Sequence, residues 1–267
     1  MELRTSALNC LTIKDPYTKC LEVNRLRKAY LQGQVSLQAE AELSDVHLEI
    51  PGRPSQPTLV DPRLVKRRSM ATPEGRSALL HALAHIEFNA INLALDAIWR
   101  FASMPNSYYV DWLKVAQEES LHFELLQNHL QENYGISYGH FPAHSSLWEM
   151  VQKTTGDVLA RMALVPRTME SRGLDAVPAI RDRFTQIHDQ PAVEILNRIL
   201  KDEVGHVEIG NRWFNYLCTE RKLNPIEAYA NLAVEYQAPI LKGPFNLEAR
   251  RAAGFTEEEL QVLQGFC

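Results

Sequence analysis

Residues 118–122 read Glu-Glu-Ser-Leu-His, and residues 202–206 read Asp-Glu-Val-Gly-His. Both are acid-Glu-x-x-His. Residues three apart lie on one face of a helix, so each segment can turn one carboxylate and one imidazole toward the same point. Taken singly, a Glu-x-x-His arises by chance in a chain of this size, and a surface acid beside a satisfied histidine accounts for it. The residues upstream decide the reading. Glu87 lies 32 residues before Glu119, and Glu170 lies 33 residues before Glu203. A unit of Glu…Glu-x-x-His is therefore repeated at nearly equal spacing, once per expected helical hairpin.

The flanking sequence supplies the helices. Thr72-Pro73-Glu74 is a helix start: a hydroxyl cap, proline at the first helical position and an acid at the positive end of the dipole. Leu79, Leu80, Leu83, Ile86, Ile91, Leu95 and Ile98 then recur at three- and four-residue steps up to Met104-Pro105, which defines helix A. Helix B begins near Ser107 and runs through Trp112, Val115, Leu121, Leu125 and Leu126 to a stop at Gly135. Helix C runs from about Leu147 to a stop at Gly173. A shorter helix, roughly Ala176 to Ile187, fills the connection to helix D. Helix D starts at Asp189-Gln190-Pro191 and continues through Ile195, Ile199, Val207 and Phe214 to about Arg221. No alternating pattern with hairpin turns competes with these segments. The expected architecture is all-α, a four-helix bundle over residues 71–222. An N-terminal extension, 1–70, holds a short helix around Leu21–Leu31 and a loop punctuated by Pro51, Pro54, Pro57 and Pro62. A C-terminal helical extension, 223–267, is expected to pack on the bundle.

The acids interrupt apolar stripes: Glu87 between Leu83 and Ile91, Glu119 and His122 between Val115 and Leu126, Glu203 and His206 between Ile199 and Gly210. Buried carboxylates are costly unless a cation compensates them. Four carboxylates cancel the charge of two divalent ions, and two imidazoles complete a mixed N/O shell suited to iron or manganese. A lone Glu on two helices and Glu-x-x-His on two others is the ligand arrangement of di-iron and di-manganese carboxylate bundles. The expected ligands are Glu87, Glu119, His122, Glu170, Glu203 and His206. Glu118 and Asp202, which precede the ligand glutamates, are expected to accept hydrogen bonds from imidazole N–H groups. His85 is an alternative ligand if helix A is irregular. Pro166, four residues before Glu170, removes a backbone hydrogen bond inside helix C. His129, His140 and His144 have no matched partners, and Tyr108, Tyr109, Trp213 and Tyr216 read as packing residues.

Through HALAHIEFNAINLALDAIWRF (81–101), EESLHFELL (118–126), ALVPRTMESRG (163–173) and DEVGHVEIGNRWF (202–214), the chain resembles the ferritin-like superfamily. More narrowly it resembles a bacterial branch of unknown function related to the di-iron tRNA hydroxylases. The resemblance covers roughly residues 65–240. It implies a dinuclear centre on the six residues named above, filled by two iron ions first, or by manganese or a mixed Fe/Mn pair. It implies no particular substrate.

Composition bounds the rest. With 45% hydrophobic and 23% charged residues, the 267-residue chain has a globular balance, and its net charge of −5 gives no global attraction to nucleic acid or an anionic membrane. Lys66-Arg67-Arg68 reads as a solvated linker. The cysteines Cys10, Cys20, Cys218 and Cys267 form no CxxC pair, and no basic segment followed by an apolar run opens the chain, which points to a reducing cytoplasm. No uninterrupted apolar run reaches the length of a membrane span. The leading expectation is an oxidoreductase that uses O2 or peroxide on an unidentified small molecule, with oxygenation preferred. The alternative is a non-catalytic iron-binding, iron-storage or peroxide-scavenging protein. A tRNA-modifying role enters through the resemblance alone, and the sequence leaves the oligomeric state open, a homodimer among the options.

Overall fold

The structure is a computed structural model that describes residues 1–43, 48–66 and 68–265. Arg67 of the basic cluster and Cys267 lie outside the described residues. Among those described, the regular structure is helical, and the only pairing of extended backbone is two isolated bridges, Glu2 with Ser36 and Leu59 with Ala143. By its internal contacts the chain divides into two units, Met1–Ser146 and Leu147–Cys267.

The first unit holds α1 (Leu3–Thr12), α2 (Pro16–Leu31), α3 (Pro73–Arg100) and α4 (Asn106–Tyr134). The start of α3 follows its sequence signals: Thr72 Oγ1 accepts from the Gly75 N–H at 3.1 Å, with Pro73 in the first turn. At the end of α4, Gly135 takes φ +64°, the left-handed conformation in which an L side chain is strained, and its N–H bonds back to Gln131 O. α3 and α4 fold back on each other, α1 packs on α3 and α2 on α4. Leu80, Ala84, Ile91, Leu95 and Ile98 of α3 are fully buried, as are Tyr108, Trp112, Val115, Phe123 and Leu126 of α4.

Two readings change here. Ile86, placed on the apolar stripe, is 47% exposed, because it and Ala82, four residues apart, form the one outward edge of a helix buried nearly all round. That all-round burial also makes α3 long and apolar enough to cross a membrane by length and composition. Yet 78% of the window is buried inside the protein, and His81, Glu87, Asn92 and Asp96 are buried along it, as befits a core helix. The second change is α1, whose Leu3, Ala7 and Leu11 sit at helical spacing and are fully buried, although no helix was expected there. α2 is tied to α3 through Lys19, whose buried ammonium donates to Asn92 Oδ1, Gly52 O and Leu11 O.

The second unit holds α5 (Ser146–Lys153, from the unit boundary), α6 (Val158–Leu164), α7 (Ser171–Gln186), α8 (Gln190–Glu220), α9 (Pro225–Glu235), α10 (Leu247–Ala252) and α11 (Glu257–Gln264). Helix D is found as expected: Asp189 caps the Ala192 N–H at 3.1 Å and α8 runs to Glu220. Helix C is not one helix. It breaks after Lys153, resumes at Asp157, whose side chain caps the Leu159 N–H, and then widens into a π-turn over Val165–Glu170. Gly173 is no stop, since α7 continues through it without a positive φ. The cause of the π-turn is Pro166: with no N–H to give, it cannot close an α-helical bond, and the chain accommodates one extra residue per turn. Thr168 Oγ1 donates to Ala163 O at 2.8 Å, and the Ser171 N–H bonds to Pro166 O, five residues back. α8 lies so close to this turn that a Cβ on Gly210 would stand 2.5 Å from Pro166 Cβ.

Candidate metal centre

In the first unit, Glu87 stands at the middle of α3 and Glu119 and His122 at the middle of α4. All three are buried, Glu119 and His122 completely. One ligand atom from each lies within 4.8 Å of the others. His122 Nδ1 is 3.2 Å from Glu119 Oε2 and 3.4 Å from Glu87 Oε2, so both carboxylates address the same ring nitrogen. Burial pushes the Glu87 carboxyl well above the ordinary carboxylate range, the neighbouring Glu119 adds to the rise, and His122 opposes it. Two carboxylates this close and this dry call for a proton or a cation between them. Two oxygen donors and an imidazole nitrogen can hold a metal ion of the iron or manganese type, which fits the donor set expected from sequence.

In the second unit the i, i+3 geometry recurs. Glu203 and His206 are buried on α8, and His206 Nδ1 is 3.3 Å from Glu203 Oε1. The ring nitrogen nearest the carboxylate is therefore the same in both segments. Glu170 is buried at the last position of the π-turn. Glu203 Oε2 points toward the start of α7, where a Cβ on Gly173 would lie 3.9 Å away. The lone glutamates thus have different settings: Glu87 lies within an unbroken helix and Glu170 at the edge of an irregular turn.

Glu118 lies 3.7 Å from Lys114, and Asp202 is bonded by Arg198, each pair one turn apart on its own helix. His85 is held elsewhere: its Nδ1 is 2.7 Å from Tyr138 Oη and its Nε2 is 3.1 Å from His144 O. Its ring and that of His81, whose Nε2 accepts from the Gly139 N–H at 2.9 Å, anchor the loop after α4. Burial holds both imidazoles down at about 4, so they are neutral at physiological pH. Tyr108 and Tyr109 are fully buried packing residues, Trp213 is buried and Tyr216 is half-exposed. Arg68 of the basic cluster pairs with Glu74 and covers the Phe141 ring, so it is not a free cation.

The sequence reading missed the buried arginines. Arg167, next to Pro166 in the π-turn, and Arg250 of α10 are both enclosed, among Phe214, Tyr229, Phe245 and Phe255. A cation directly after the apolar run Ala163–Pro166 was the available signal for the first.

An all-helical chain with a buried carboxylate–imidazole cluster that can hold a metal is the class these observations define. The chain belongs to the family described as "Protein of unknown function (DUF455)", whose model matches residues 12–261. It is 45% identical over 259 residues to a protein of Haemophilus influenzae described as uncharacterized, with 94% of this chain and 89% of that one covered. No solved structure matches the chain.

Proposed function

We infer that this protein is a dinuclear metal carboxylate protein of the ferritin-like kind, an oxidoreductase that turns O2 or peroxide on a small-molecule substrate. The observation that carries the reading is the convergence of Glu87, Glu119 and His122, buried, on one point. The repeat of the same three residue types in Glu170, Glu203 and His206 supports a second, matching half, so the proposed ligands are six. Iron is the first candidate metal and manganese, alone or paired with iron, the second.

The metals would supply electrons for reduction of O2 or peroxide, chemistry that no side chain here performs unaided. The chain's own residues bind, orient and exclude water. Glu87 and Glu119, kept dry, are poor homes for negative charge until a cation arrives, so the site favours metal over water. We assign Glu118 and Asp202 to orienting the imidazoles, each kept in place by a cation one turn away on its own helix. The three described cysteines are free thiols, which supports action in a reducing compartment such as the cytoplasm.

The test is anaerobic addition of ferrous iron to metal-free protein, followed by admission of O2 in an electrode cell. The reading expects saturable uptake of about two ions per chain and O2 consumption that His122→Ala removes. Uptake far beyond two ions per chain would instead favour iron storage. Failure to bind iron or manganese at all would sink the metal reading.

A further inference from the structure

The second unit contains a cavity of about 170 Å³ between α9, α11 and the π-turn. Its wall is mainly apolar, with Tyr229, Leu241, Phe255 and Leu263 among the lining residues, and two arginines, Arg167 and Arg250, share that wall. The arginine side chains are 4% and 0% exposed. Each spends part of its guanidinium on one carboxylate: Arg167 Nη2 donates to Glu259 at 2.5 Å, and Arg250 Nη2 and Nε donate to Asp175 at 2.6 and 3.1 Å. The remaining edges are unmatched. Arg167 Nε and Nη1 and Arg250 Nη1 are buried and have no hydrogen-bond acceptor among the described residues. The aromatic rings of Phe214, Tyr229 and Phe255, 4.6 to 5.2 Å from the Arg167 guanidinium, hold it in place but accept no conventional hydrogen bond.

A buried charged donor without an acceptor is costly, and natural proteins keep such groups only where something answers them. Every unsatisfied group noted in this wall is a donor. The missing partner is therefore an acceptor, and an anionic one bonds a guanidinium about twice as strongly as a neutral one. The apolar wall sets the rest of the molecule. We propose that this cavity binds a small apolar carboxylate, its carboxylate against Arg167 and Arg250 and its hydrocarbon part against Tyr229, Leu241 and Phe255. Arg167 precedes Glu170 by three residues in the same π-turn, so occupancy would bear on the metal centre; that clause alone rests on the proposed metal function.

Calorimetric titration of the full-length, metal-free protein with octanoate, octanol and octylamine tests the site, and failure of the metal reading leaves this test intact. Octanoate should bind at a single saturable site, octanol about tenfold more weakly and octylamine not measurably. Arg167→Gln should weaken octanoate by about tenfold. Ala230→Trp, a change at the exposed rim that fills the space without touching the arginines, should block octanoate even if the first variant folds poorly. Absence of saturable octanoate binding, equal affinity for octanoate and octanol, or octanoate affinity unchanged in Ala230→Trp would each overturn the assignment.

Discussion

The two halves of this chain carry one Glu…Glu-x-x-His pattern on two different backbones. In the first unit, Glu87, Glu119 and His122 are buried on two unbroken helices of 28 and 29 residues. In the second, Glu203 and His206 rise from an unbroken helix of 31 residues, but the lone Glu170 ends a π-turn forced by Pro166. One spacing of residue types can thus sit on backbones that hold the lone glutamate with different rigidity. A carboxylate on a continuous helix is fixed by backbone hydrogen bonds on both sides. A carboxylate at a π-turn sits where the ladder is already interrupted, which is where functional irregularity concentrates.

Ligand substitutions break the comparison hardest. Glu119→Ala and His122→Ala are each expected to lower metal affinity by more than about 100-fold, since loss of even an outer partner of a ligand costs about 10–100-fold. Glu170→Ala should cost less than Glu87→Ala if the π-turn lets a water or a neighbour replace it. Equilibrium dialysis with manganese ranks the four.

Next comes pH. The folded-state pKa of Glu87 is raised above its ordinary value of 4.5, so above that value the unfolded chain has released a proton that the folded chain still holds. The Glu87 contribution to the stability of the metal-free protein should therefore be fully present below about 4.5 and be lost as pH rises through the folded pKa. Glu87→Gln should flatten that loss in urea melts followed at several pH values, and an unchanged profile would show that the first half is not a dry, repelling pair.

Two glycines give the smaller effects, and they have opposite signs. Gly210→Ala drives a methyl into the Pro166 ring and should destabilise the second unit by about 1–3 kcal/mol. Gly173→Ala meets only ordinary contact at 3.9 Å in a helix and should stabilise it by up to about 0.5–1 kcal/mol. A loss of stability in the second variant would restore the reading of Gly173 as a helix stop. Thermal melts of the metal-free variants distinguish these cases.

Much of the helical framework was legible because its ends are chemically marked. Thr72-Pro73, Gly135 and Asp189 act as the sequence suggested, through hydrogen bonds that depend on those residues and little else. The middle of helix C was not legible, because apolar periodicity reports which residues are buried and is nearly blind to one residue inserted into a turn. Gly173 misled for a related reason: glycine signals a stop only when the backbone needs a positive φ there, and that is a property of the surrounding chain. α1 carries a stripe in Leu3, Ala7 and Leu11, but buried Arg4 and Ser6 lie among them and blur its periodicity. The proximity of Glu87, Glu119 and His122 was readable at residue level, since their spacing puts them on facing helical stripes. Arg167 and Arg250 were not, because no periodicity marks a cation whose cost is met by distant partners.

A dinuclear centre requires that both halves bind metal in one protein, and metal content measured half by half decides this. Wild type, Glu119→Ala and His206→Ala should be loaded anaerobically with ferrous iron, desalted, and assayed by plasma mass spectrometry, with circular dichroism confirming the fold of each. About two ions per chain are expected in wild type and a clear loss in both variants. Wild-type metal content in both variants, or none in the wild type, would contradict it.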